Sequence, residues 1–501
     1  MPSPTPVLDH DLIAALRADL AAAGFTVDRV AEALGPMASA ALNREQTLPA
    51  ELATRDADDP VSLLVRLFTL GRSMTPSRLA PAVPRVGVDG LERLGLVAVR
   101  DGRVHAQCDL RPYADEQHAW WVASDLSETV TNAPLEQDHV LGIGGASTTL
   151  ASWTPRPEVE SALDLGTGCG VQSLHLGAHA RSVTATDLSR RALDYARFNA
   201  ALVGETWELL QGSMLEPVAG RQFDLVVSNP PFVITPRVAE VPLYEYRDGG
   251  LAGDGVVEGL VRSVGRHLRP GGIAQLLGNW EVGAGAGGWR GRVSQWLEGT
   301  GLDAWVIQRD VQDPAEYAET WARDGGHRPG TPAFDAMYAA WLADFASRGV
   351  ATIGFGVITL QRPETDRAPF RDLMEATGPV AAPMGPTMLA GLRARTWLAE
   401  HDDEAVLAIA WRCAPDVTEE RHGRPGAPDP SVILLRQGGG LGRVVRLDTV
   451  TAAFVSVCDG DLTAGQALTA IAGLLGAPGD EVRAQAMPVV RELVADGLLV
   501  R

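Results

Sequence analysis

Lysine is absent from this chain, and cysteine is scarce. All 43 basic residues among the 501 are therefore arginines, whose guanidinium groups bind anions as planar forks rather than as point charges. The four cysteines, Cys108, Cys169, Cys413 and Cys458, lie far apart and form no Cys-x-x-Cys pair. This spacing indicates neither a zinc site nor a disulfide framework, so we expect no metal and a reducing compartment.

Long apolar runs and a basic surface are also missing. No apolar stretch approaches the roughly 20 residues that span a bilayer, and the first residues lack the charged start and apolar core of a signal peptide. We therefore expect a cytoplasmic protein without a membrane partner. The net charge of −20 argues against a broad nucleic-acid surface, although the window 61–112 carries eight arginines against four acidic residues.

The length predicts about three domains. We expect a helical, winged-helix-like domain at 1–135, an α/β domain at 136–365 and a winged-helix-like accessory domain at 380–501. Residues 90–104 indicate a helix end, a strand, an Asp-Gly turn and a second strand. Near the other end, helices at 464–475 and 480–495 precede a similar Gly-Leu strand. The flanking domains either recognise a substrate or only cap the central one.

The most informative segment is an apolar strand that ends in Asn229-Pro230-Pro231-Phe232. The side-chain oxygen of Asn229 can accept one N–H of a planar NH2 group, and the carbonyl of Pro230 can accept the other. The ring of Phe232 can stack on a flat amide or base. Two consecutive prolines stiffen the loop and remove competing donors. The alternative is an ordinary loop after a strand.

A glycine loop lies about 60 residues upstream, where the strand 162–165 runs into Gly166-Thr167-Gly168-Cys169-Gly170. Glycines at this spacing let backbone approach a ligand closely. The pattern is not the Gly-x-Gly-x-x-Gly of a dinucleotide fold, because Val171 occupies the place of the third glycine. No Gly-Lys-Ser/Thr follows either, so a phosphate loop is excluded.

An acidic residue ends the next predicted strand, 182–187. Asp187 lies 23 residues after Asp164, close to the spacing at which an acid binds a ribose diol. Its alternative role is the N-cap of a helix over 188–200. Both roles are compatible with the glycine loop that precedes it.

Together these motifs resemble the class I S-adenosylmethionine (SAM) methyltransferases, in the amino-methylating branch whose fourth strand ends in Asn-Pro-Pro-Tyr/Phe. The run 229–236 is similar to HemK-type glutamine methyltransferases that modify release factors, and the glycine-rich stretch 247–255 is similar to the segment that follows in that family. The resemblance extends from Leu141 to Gln361. It implies a Rossmann-like α/β fold with a seven-stranded sheet, and SAM as the cofactor.

The resemblance also implies the site residues. The catalytic set is Asn229, Pro230, Pro231 and Phe232. The cofactor-binding set is Asp164, Gly166, Thr167, Gly168, Gly170, Asp187, Leu188, Ser213, Met214 and Asn229. Tyr244, Glu245 and Asp248 are candidates for the substrate side or are a polar loop, and 138–150 is a lid over the methionine end of SAM or a linker.

Two departures from the family leave the substrate open. Phe232 stands where HemK-type proteins carry tyrosine, and phenylalanine there also resembles ribosomal-RNA methyltransferases. Ser213 stands where the family commonly has an aspartate that accepts from the adenine amine, and a neutral hydroxyl is a weaker acceptor. The hypotheses are methylation of a glutamine amide in a protein such as a release factor, methylation of an adenine or guanine amine in RNA or DNA, and SAM-dependent regulation without turnover.

The remaining strands of the sheet are predicted at 271–277, 305–307 and 354–360. Helices are predicted at 315–323 and 333–348, between the last two strands, in a segment long enough to cover the active site.

Overall fold

The computed structural model describes residues 4–131, 135–238, 241, 244–283, 285, 287–426 and 429–501. The N-terminal region is mainly helical and ends in two antiparallel hairpins. Its elements are α1 (His10–Ala23), α2 (Val27–Leu42), α3 (Leu48–Thr54), α4 (Pro60–Leu64), α5 (Pro76–Leu79), α6 (Gly87–Arg93), β1 (Val97–Arg100), β2 (Arg103–Ala106), β3 (Asp109–Ala114), β4 (Ala119–Ser124) and α7 (Glu128–Thr131).

The hairpin predicted within residues 90–104 is confirmed. α6 is followed by β1 and β2, which pair antiparallel across Asp101 and Gly102. The φ angles of these two residues are +51° and +69°. Two consecutive left-handed residues are what a two-residue type I′ turn requires, and Asp-Gly is a preferred sequence for it. The winged-helix assignment of this region stays a prediction.

The central region alternates strands and helices. Its elements are α8 (Gly145–Trp153), β5 (Val159–Leu165), α9 (Val171–Gly177), β6 (Ala180–Asp187), α10 (Arg190–Val203), β7 (Glu208–Gln211), β8 (Phe223–Ser228), α11 (Gly255–Ser263), β9 (Leu268–Gly283), α12 (Gly288–Leu297), β10 (Asp303–Gln312), α13 (Pro314–Asp324), α14 (Pro332–Arg348), β11 (Val350–Gln361) and β12 (Arg371–Glu375).

These strands form one sheet in the order β12-β10-β11-β9-β8-β5-β6-β7. β5 to β9 run parallel to their neighbours within that group, whereas β11 is antiparallel to both β9 and β10. The chain order reverses between β5 and β8, so a crevice opens at the carboxyl ends of these strands. In open α/β sheets this is where ligands bind.

The predicted α/β fold is confirmed, and all seven predicted strands lie within β5 to β11. The predicted number of strands is wrong, because β12 pairs parallel with β10 and adds an eighth. β12 reads Arg-Asp-Leu-Met-Glu and lies partly exposed at the edge of the sheet. A sequence this polar and short lacks the apolar pattern from which a strand is predicted.

The N-terminal region and the sheet share one hydrophobic core. Leu16 of α1 and Leu202 of α10 are both fully buried in it. A polar contact reinforces the packing, because the Asn199 amide of α10 accepts from the Ala123 N–H of β4 and donates to the Ala123 carbonyl, both at 2.8 Å. The same Asn199 amide donates to the Cys169 carbonyl in the glycine loop. The N-terminal region therefore backs the loop directly.

The helices predicted at 315–323 and 333–348 are confirmed as α13 and α14. Both hold the segment that follows β8. The Tyr317 hydroxyl accepts from the Ile234 N–H at 2.8 Å, and the Trp341 indole donates to the Ile234 carbonyl at 2.6 Å. Tyr317 and Trp341 are fully buried, so these helices fix the loop that begins with the two prolines.

The C-terminal region has a hydrophobic core of its own. The predicted helices and tail strand are confirmed as its last two helices and its last strand. Its elements are α15 (Gly385–Glu400), α16 (Asp403–Leu407), β13 (Arg412–Cys413), β14 (Val417–His422), β15 (Val432–Gln437), β16 (Val444–Leu447), α17 (Thr449–Ser456), α18 (Ala464–Leu475), α19 (Gly479–Ala495) and β17 (Leu499–Val500).

Arg395 of α15 joins the C-terminal region to the sheet. Its guanidinium group stacks 3.8 Å from the ring centre of Trp305 on β10. It also pairs with Asp372 of β12 at 2.7 Å and with Asp496 at 2.7 Å. Separating a buried guanidinium from two carboxylate partners costs a large free energy, so this contact fixes the C-terminal region against the edge of the sheet.

Among the described helices, none has the length and apolar character to cross a membrane.

Candidate functional site

A cavity of about 260 Å³ opens at the carboxyl ends of β5, β6, β7 and β8. We call its sheet side the glycine-loop wall and its other side the aromatic wall. The glycine-loop wall consists of Gly166–Cys169, Val171, Gln172, Thr186–Ser189, Ala192, Gly212–Met214, Asn229 and Pro231. The aromatic wall consists of His139–Gly142, Ser147, Glu245, Tyr246 and Asp248–Gly250.

Glycine is required in the loop between β5 and α9. Gly166, Gly168 and Gly170 have φ angles of +74°, +55° and +94°, a region that other residues rarely adopt. A Cβ atom at Gly170 would also lie 2.6 Å from the ring of Trp207. Gly166, Thr167 and Gly168 line the cavity as predicted, whereas Gly170 lies behind them against Trp207.

Asp164 lies beneath the loop and is fully buried, so it does not line the cavity. One carboxylate oxygen accepts from the Thr167 hydroxyl at 2.6 Å and from the Ser173 N–H and hydroxyl at 2.9 and 2.7 Å. The other oxygen is buried and has no partner among the described residues. Burial raises the pKa of Asp164 to about 6. The geometry makes Asp164 a brace for the loop.

Asp187 ends β6 and lines the cavity, as the ribose prediction requires. One carboxylate oxygen accepts from the Gly168 N–H at 2.9 Å, and the other accepts from the Ser189 N–H at 2.8 Å. Each oxygen keeps lone-pair capacity for a hydroxyl group. Burial raises the pKa of Asp187, and the charge of Glu245 raises it further. The alternative N-cap role is wrong, because α10 begins at Arg190 and Ser189 is its N-cap.

Leu188, Ser213 and Met214 line the end of the cavity beside β6 and β7. Leu188 is 62% exposed, which is high for leucine in a folded chain. Met214 has a φ of +46°. A left-handed methionine is an unusual conformation, and such residues cluster at ligand sites. An apolar side chain, a hydroxyl and a left-handed turn thus line the same end of the cavity, and the adenine role expected for Ser213 stays a prediction.

Asn229 follows β8 and lines the cavity with Pro231. Its side-chain oxygen is buried and has no hydrogen-bond partner among the described residues. An orphaned acceptor of this kind costs about 1–3 kcal/mol, and a ligand N–H would satisfy it.

Phe232 and Pro230 do not line the cavity. The Phe232 ring instead packs edge-on against Trp321 of α13, with 6.3 Å between ring centres. Its backbone forms a bridge with Asp248. The predicted stacking role of Phe232 is therefore not supported by its position, since its ring anchors the loop to α13.

The aromatic wall combines part of the segment 138–150 with a residue that the motifs did not single out. His139, from that segment, and Tyr246 line it, with ring centres 6.1 Å apart. Glu245 and Asp248 line it too, as the substrate-side hypothesis expected. Tyr244 does not, because it is buried and its hydroxyl points to the Gly325 carbonyl at 3.4 Å. The pattern that could have indicated Tyr246 is the aromatic and charged run just before the two glycines.

Contacts with other elements hold the aromatic wall in place. Asp125, after β4, accepts from the Val140 N–H at 2.8 Å and pairs with Arg191 of α10. On the other flank, Asp324 of α13 accepts from the Tyr246 hydroxyl at 2.9 Å and from Arg247 at 2.6 Å. The wall therefore depends on three separate regions of the chain.

Comparison with protein-family models finds three matches. Residues 142–285 match the methyltransferase small domain. Residues 22–107 and 390–501 match two families described as domains of unknown function, DUF7059 and DUF7782. The matched central segment contains the glycine loop, Asp187 and Asn229.

Curated relatives match the same segment. A release factor glutamine methyltransferase of Deinococcus radiodurans is 41% identical over 194 residues, covering 32% of this chain and 66% of that protein. A ribosomal RNA small subunit methyltransferase C of Sodalis glossinidius is 30% identical over 210 residues, covering 42% of this chain and 53% of that protein. The chain thus spans about half to two thirds of the length of these curated relatives.

Among solved structures, a 16S rRNA methyltransferase of T. thermophilus in complex with AdoMet and guanosine is 18% identical. The TM-score is 0.26, and the match covers 46% of this chain and 63% of that chain.

Proposed function

We propose, from the premise that residues 142–285 form a methyltransferase small domain, that this protein transfers a methyl group from SAM to the side-chain amide nitrogen of a glutamine in a protein substrate. A release factor is the first substrate to test. The observation that carries the proposal is the buried, unpartnered side-chain oxygen of Asn229 in a cavity shared with the glycine loop and Asp187.

The glycine-loop wall fits SAM. The left-handed glycines at 166 and 168 leave the backbone open toward the cavity. Asp187 offers two carboxylate oxygens to the ribose hydroxyls, and Leu188, Ser213 and Met214 lie where the adenine is expected. SAM supplies a methyl group on a sulfonium, which is already a good electrophile. The remaining task of the protein is to orient the nucleophile, and this positioning alone gives large accelerations.

Asn229 carries that task. We assign one N–H of the substrate amide to its side-chain oxygen, which lines the cavity and has no partner among the described residues. The other N–H, expected from the sequence to bind the Pro230 carbonyl, is left without an assigned acceptor because Pro230 does not line the cavity. An acceptor on the amide also draws positive charge off the nitrogen as the bond to the methyl group forms. Such preorganised polar groups, acting in a water-poor site, are commonly the largest catalytic contribution.

The arginine-rich window 61–112 supports a protein substrate rather than RNA. Five of its eight arginines pair with carboxylates, and four of these carboxylates lie outside the window. The pairs are Arg72–Glu51, Arg78–Asp58, Arg85–Asp19, Arg93–Asp9 and Arg111–Asp109. A phosphate backbone needs arginines whose charge is not already matched, so the local excess of positive charge in the sequence is largely cancelled in the fold.

Methylation of a base amine in RNA or DNA remains the second candidate. Phe232 in place of tyrosine favours it, as does the similarity to ribosomal RNA methyltransferases over 42% of the chain. Because Asn229 could hold either kind of NH2 group, the matched arginines of residues 61–112 are what favours a glutamine over a base amine.

We also propose three domains, at 1–135, 136–365 and 380–501. The family matches at 22–107, 142–285 and 390–501 support these limits. The separate hydrophobic core of the C-terminal region supports the last boundary.

The test uses tritiated SAM, the full chain and an extract from cells that lack this protein. We expect label in protease-sensitive, nuclease-resistant material, and then in a purified release factor. An Asn229→Ala variant is the matched control and should give background label. Label in nuclease-sensitive material would move the proposal to a base amine. Absence of label despite SAM binding would contradict turnover altogether.

A further inference from the structure

The cavity is lined by acidic groups without a basic counterpart. Apart from Cys169 and Tyr246, whose pKa values are raised by burial, the ionisable side chains that line it are His139, Asp187, Glu245 and Asp248, and the described residues of the two walls include no arginine. The charge of this cavity therefore depends on which of the three carboxylates are matched by cations outside it.

Asp248 is matched. Its two oxygens accept from the Arg237 guanidinium at 2.7 and 3.2 Å, and the Gly250 N–H donates to one of them at 2.9 Å. The Asp248 carboxylate is 2% exposed. In an ion pair with this geometry the positive charge of Arg237 offsets the negative charge of Asp248, so the pair adds little to the electrostatic potential in the cavity.

His139 does not supply a compensating charge. Its side chain is 8% exposed, and burial lowers its pKa, so the ring is neutral at pH 7. Asp125 lies 3.8 Å from it and pairs instead with Arg191, while the Tyr246 ring makes a T-shaped contact with it. The charges of Asp138 and Asp324 also act on the ring.

Asp187 and Glu245 therefore remain as net negative charges, and they lie on opposite walls. Neither has a basic side-chain partner among the described residues. Asp187 accepts from two backbone N–H groups, and Glu245 is held through its own N–H, which donates to the Gln137 carbonyl at 3.0 Å. Both residues line the same cavity, and the charge of Glu245 acts on Asp187.

We infer that this pair of carboxylates makes the site prefer SAM over its demethylated product, and that Glu245 is the residue that sets the preference. The inference rests on the proposed function. SAM carries a sulfonium, an ammonium and a carboxylate, so its net charge is +1. S-adenosylhomocysteine has lost the sulfonium charge and is neutral overall.

In the proposed methyl transfer, the sulfonium–methyl bond breaks and its electron pair stays on sulfur. A nitrogen–methyl bond forms, and the amide nitrogen releases one proton to solvent. The positive charge of the cofactor leaves as that proton. The field that draws SAM into the cavity therefore does not retain the product, and product release is favoured at each turnover.

Glu245 is the better probe of this effect than Asp187. Asp187 is assigned to the ribose, which SAM and its product share, so its loss weakens both. Glu245 has no assigned hydrogen bond to the common part of the two molecules. One unit charge at several ångströms in a partly solvated site changes binding of a cation about fivefold to tenfold.

The experiment measures Kd by calorimetry for three molecules on the full chain: SAM, S-adenosylhomocysteine and sinefungin, which carries an ammonium in place of the sulfonium methyl group. We expect SAM and sinefungin to bind about tenfold more tightly than S-adenosylhomocysteine. In Glu245→Gln this ratio should fall by about fivefold, with the Kd of S-adenosylhomocysteine unchanged. Glu136→Gln, which alters an exposed acid outside the cavity, should leave the ratio as it is.

A salt titration of the unmodified chain gives a second readout that needs no variant. The ratio should shrink as ionic strength rises, because screening weakens the Coulomb contribution. Equal Kd values for SAM and its product, or a ratio unaffected by both Glu245→Gln and salt, would overturn the inference and leave the proposed function intact. Failure of all three molecules to bind would overturn the proposed cofactor together with the inference.

Discussion

The two walls of the cavity are built on different principles. The glycine-loop wall is formed by consecutive residues at the ends of parallel strands, and backbone groups position its carboxylate, as the Gly168 and Ser189 N–H groups do for Asp187. The aromatic wall is formed by two loops whose positions depend on side chains from α10 and α13. The strands of the sheet position the glycine-loop wall, whereas contacts with neighbouring helices position the aromatic wall.

This difference suggests a division of labour. A wall defined by strand ends and backbone hydrogen bonds is rigid and suits a cofactor of constant shape. A wall held by a few ion pairs is more easily altered, and it suits the recognition of a particular substrate. Changes to the first wall should therefore affect cofactor affinity or chemistry. Changes to the second should affect substrate affinity and local dynamics, apart from changes to the charge of Glu245, which we infer to act on the cofactor.

The largest effect is expected at Asn229, which follows β8 in the glycine-loop wall. Asn229→Ala should lower kcat by about 10²–10³-fold, the size found when one preorganised polar group is removed from an active site. SAM affinity should stay within about threefold. Turnover is measured with tritiated SAM and affinity by calorimetry. Activity retained in the variant would rule out the proposed role of Asn229 in holding the substrate amide.

Acid should undermine the support behind the glycine-loop wall. His175 of α9 is buried between the Tyr113 hydroxyl, at 2.8 Å, and Arg156. Burial and the neighbouring Arg156 charge lower its pKa from 6.5 to about 4. The unfolded chain binds this proton first, so the stability that the neutral ring provides is complete above pH 6.5 and is lost as pH falls toward 4.

The expected loss from this one group is about 2–3 kcal/mol. Denaturant unfolding at pH 7, 5.5 and 4.5 measures it. His175→Gln should show a shallower fall in the free energy of unfolding than the unmodified chain. His10→Gln, at an exposed position on α1, should behave like the unmodified chain. Parallel curves for all three proteins would contradict the assignment.

Asp187 tests the cofactor wall itself. Asp187→Ala should weaken SAM binding by about 10- to 100-fold, because hydrogen bonds to a charged group contribute about 1.5–3 kcal/mol. Asp187→Asn keeps one acceptor oxygen, so its affinity for SAM should lie between those of the unmodified chain and of Asp187→Ala. Calorimetry gives the affinities, and a melting curve confirms that the variants fold. Unchanged affinity in the alanine variant would refute the ribose assignment.

Predictability from sequence follows the same division between the walls. Gly166, Gly168, Asp187 and Asn229 could be predicted because each follows directly from a strand end and a local backbone requirement. The cavity-facing role of Tyr246 could not, because it depends on Asp324, which lies 78 residues further along the chain. Phe232 was assigned to the cavity from its motif, but tertiary packing against Trp321 decides its position. Likewise, β12 is a strand because it pairs with β10 at the edge of the sheet, and not because of its own sequence pattern.

Asp324 tests the assembled wall. Asp324→Asn removes the charge that balances the buried Arg247, two of whose nitrogen atoms already lack partners among the described residues. Because Asp324 is 40% exposed, the effect is modest, about a fivefold rise in substrate KM. Hydrogen exchange should speed up at 244–250 and stay unchanged at 166–170.

The control for this variant is Asp335→Asn, an exposed acid on α14 that contacts neither wall. It should leave both KM and exchange unaltered. Faster hydrogen exchange in the glycine loop of Asp324→Asn would show that the two walls are coupled, and it would contradict the view that they are positioned independently.

Ser213 offers the smallest and most specific test, because it changes one acceptor on the rigid wall. Ser213→Asp restores the anionic acceptor common in the related family and should tighten binding by about threefold to tenfold, since charge-assisted hydrogen bonds are the stronger ones. A new negative charge would also attract the cationic SAM, so neutral ligands are needed. S-adenosylhomocysteine should gain affinity and S-inosylhomocysteine, which lacks the amine, should not. An equal gain for both would mean that Ser213 does not face the adenine amine.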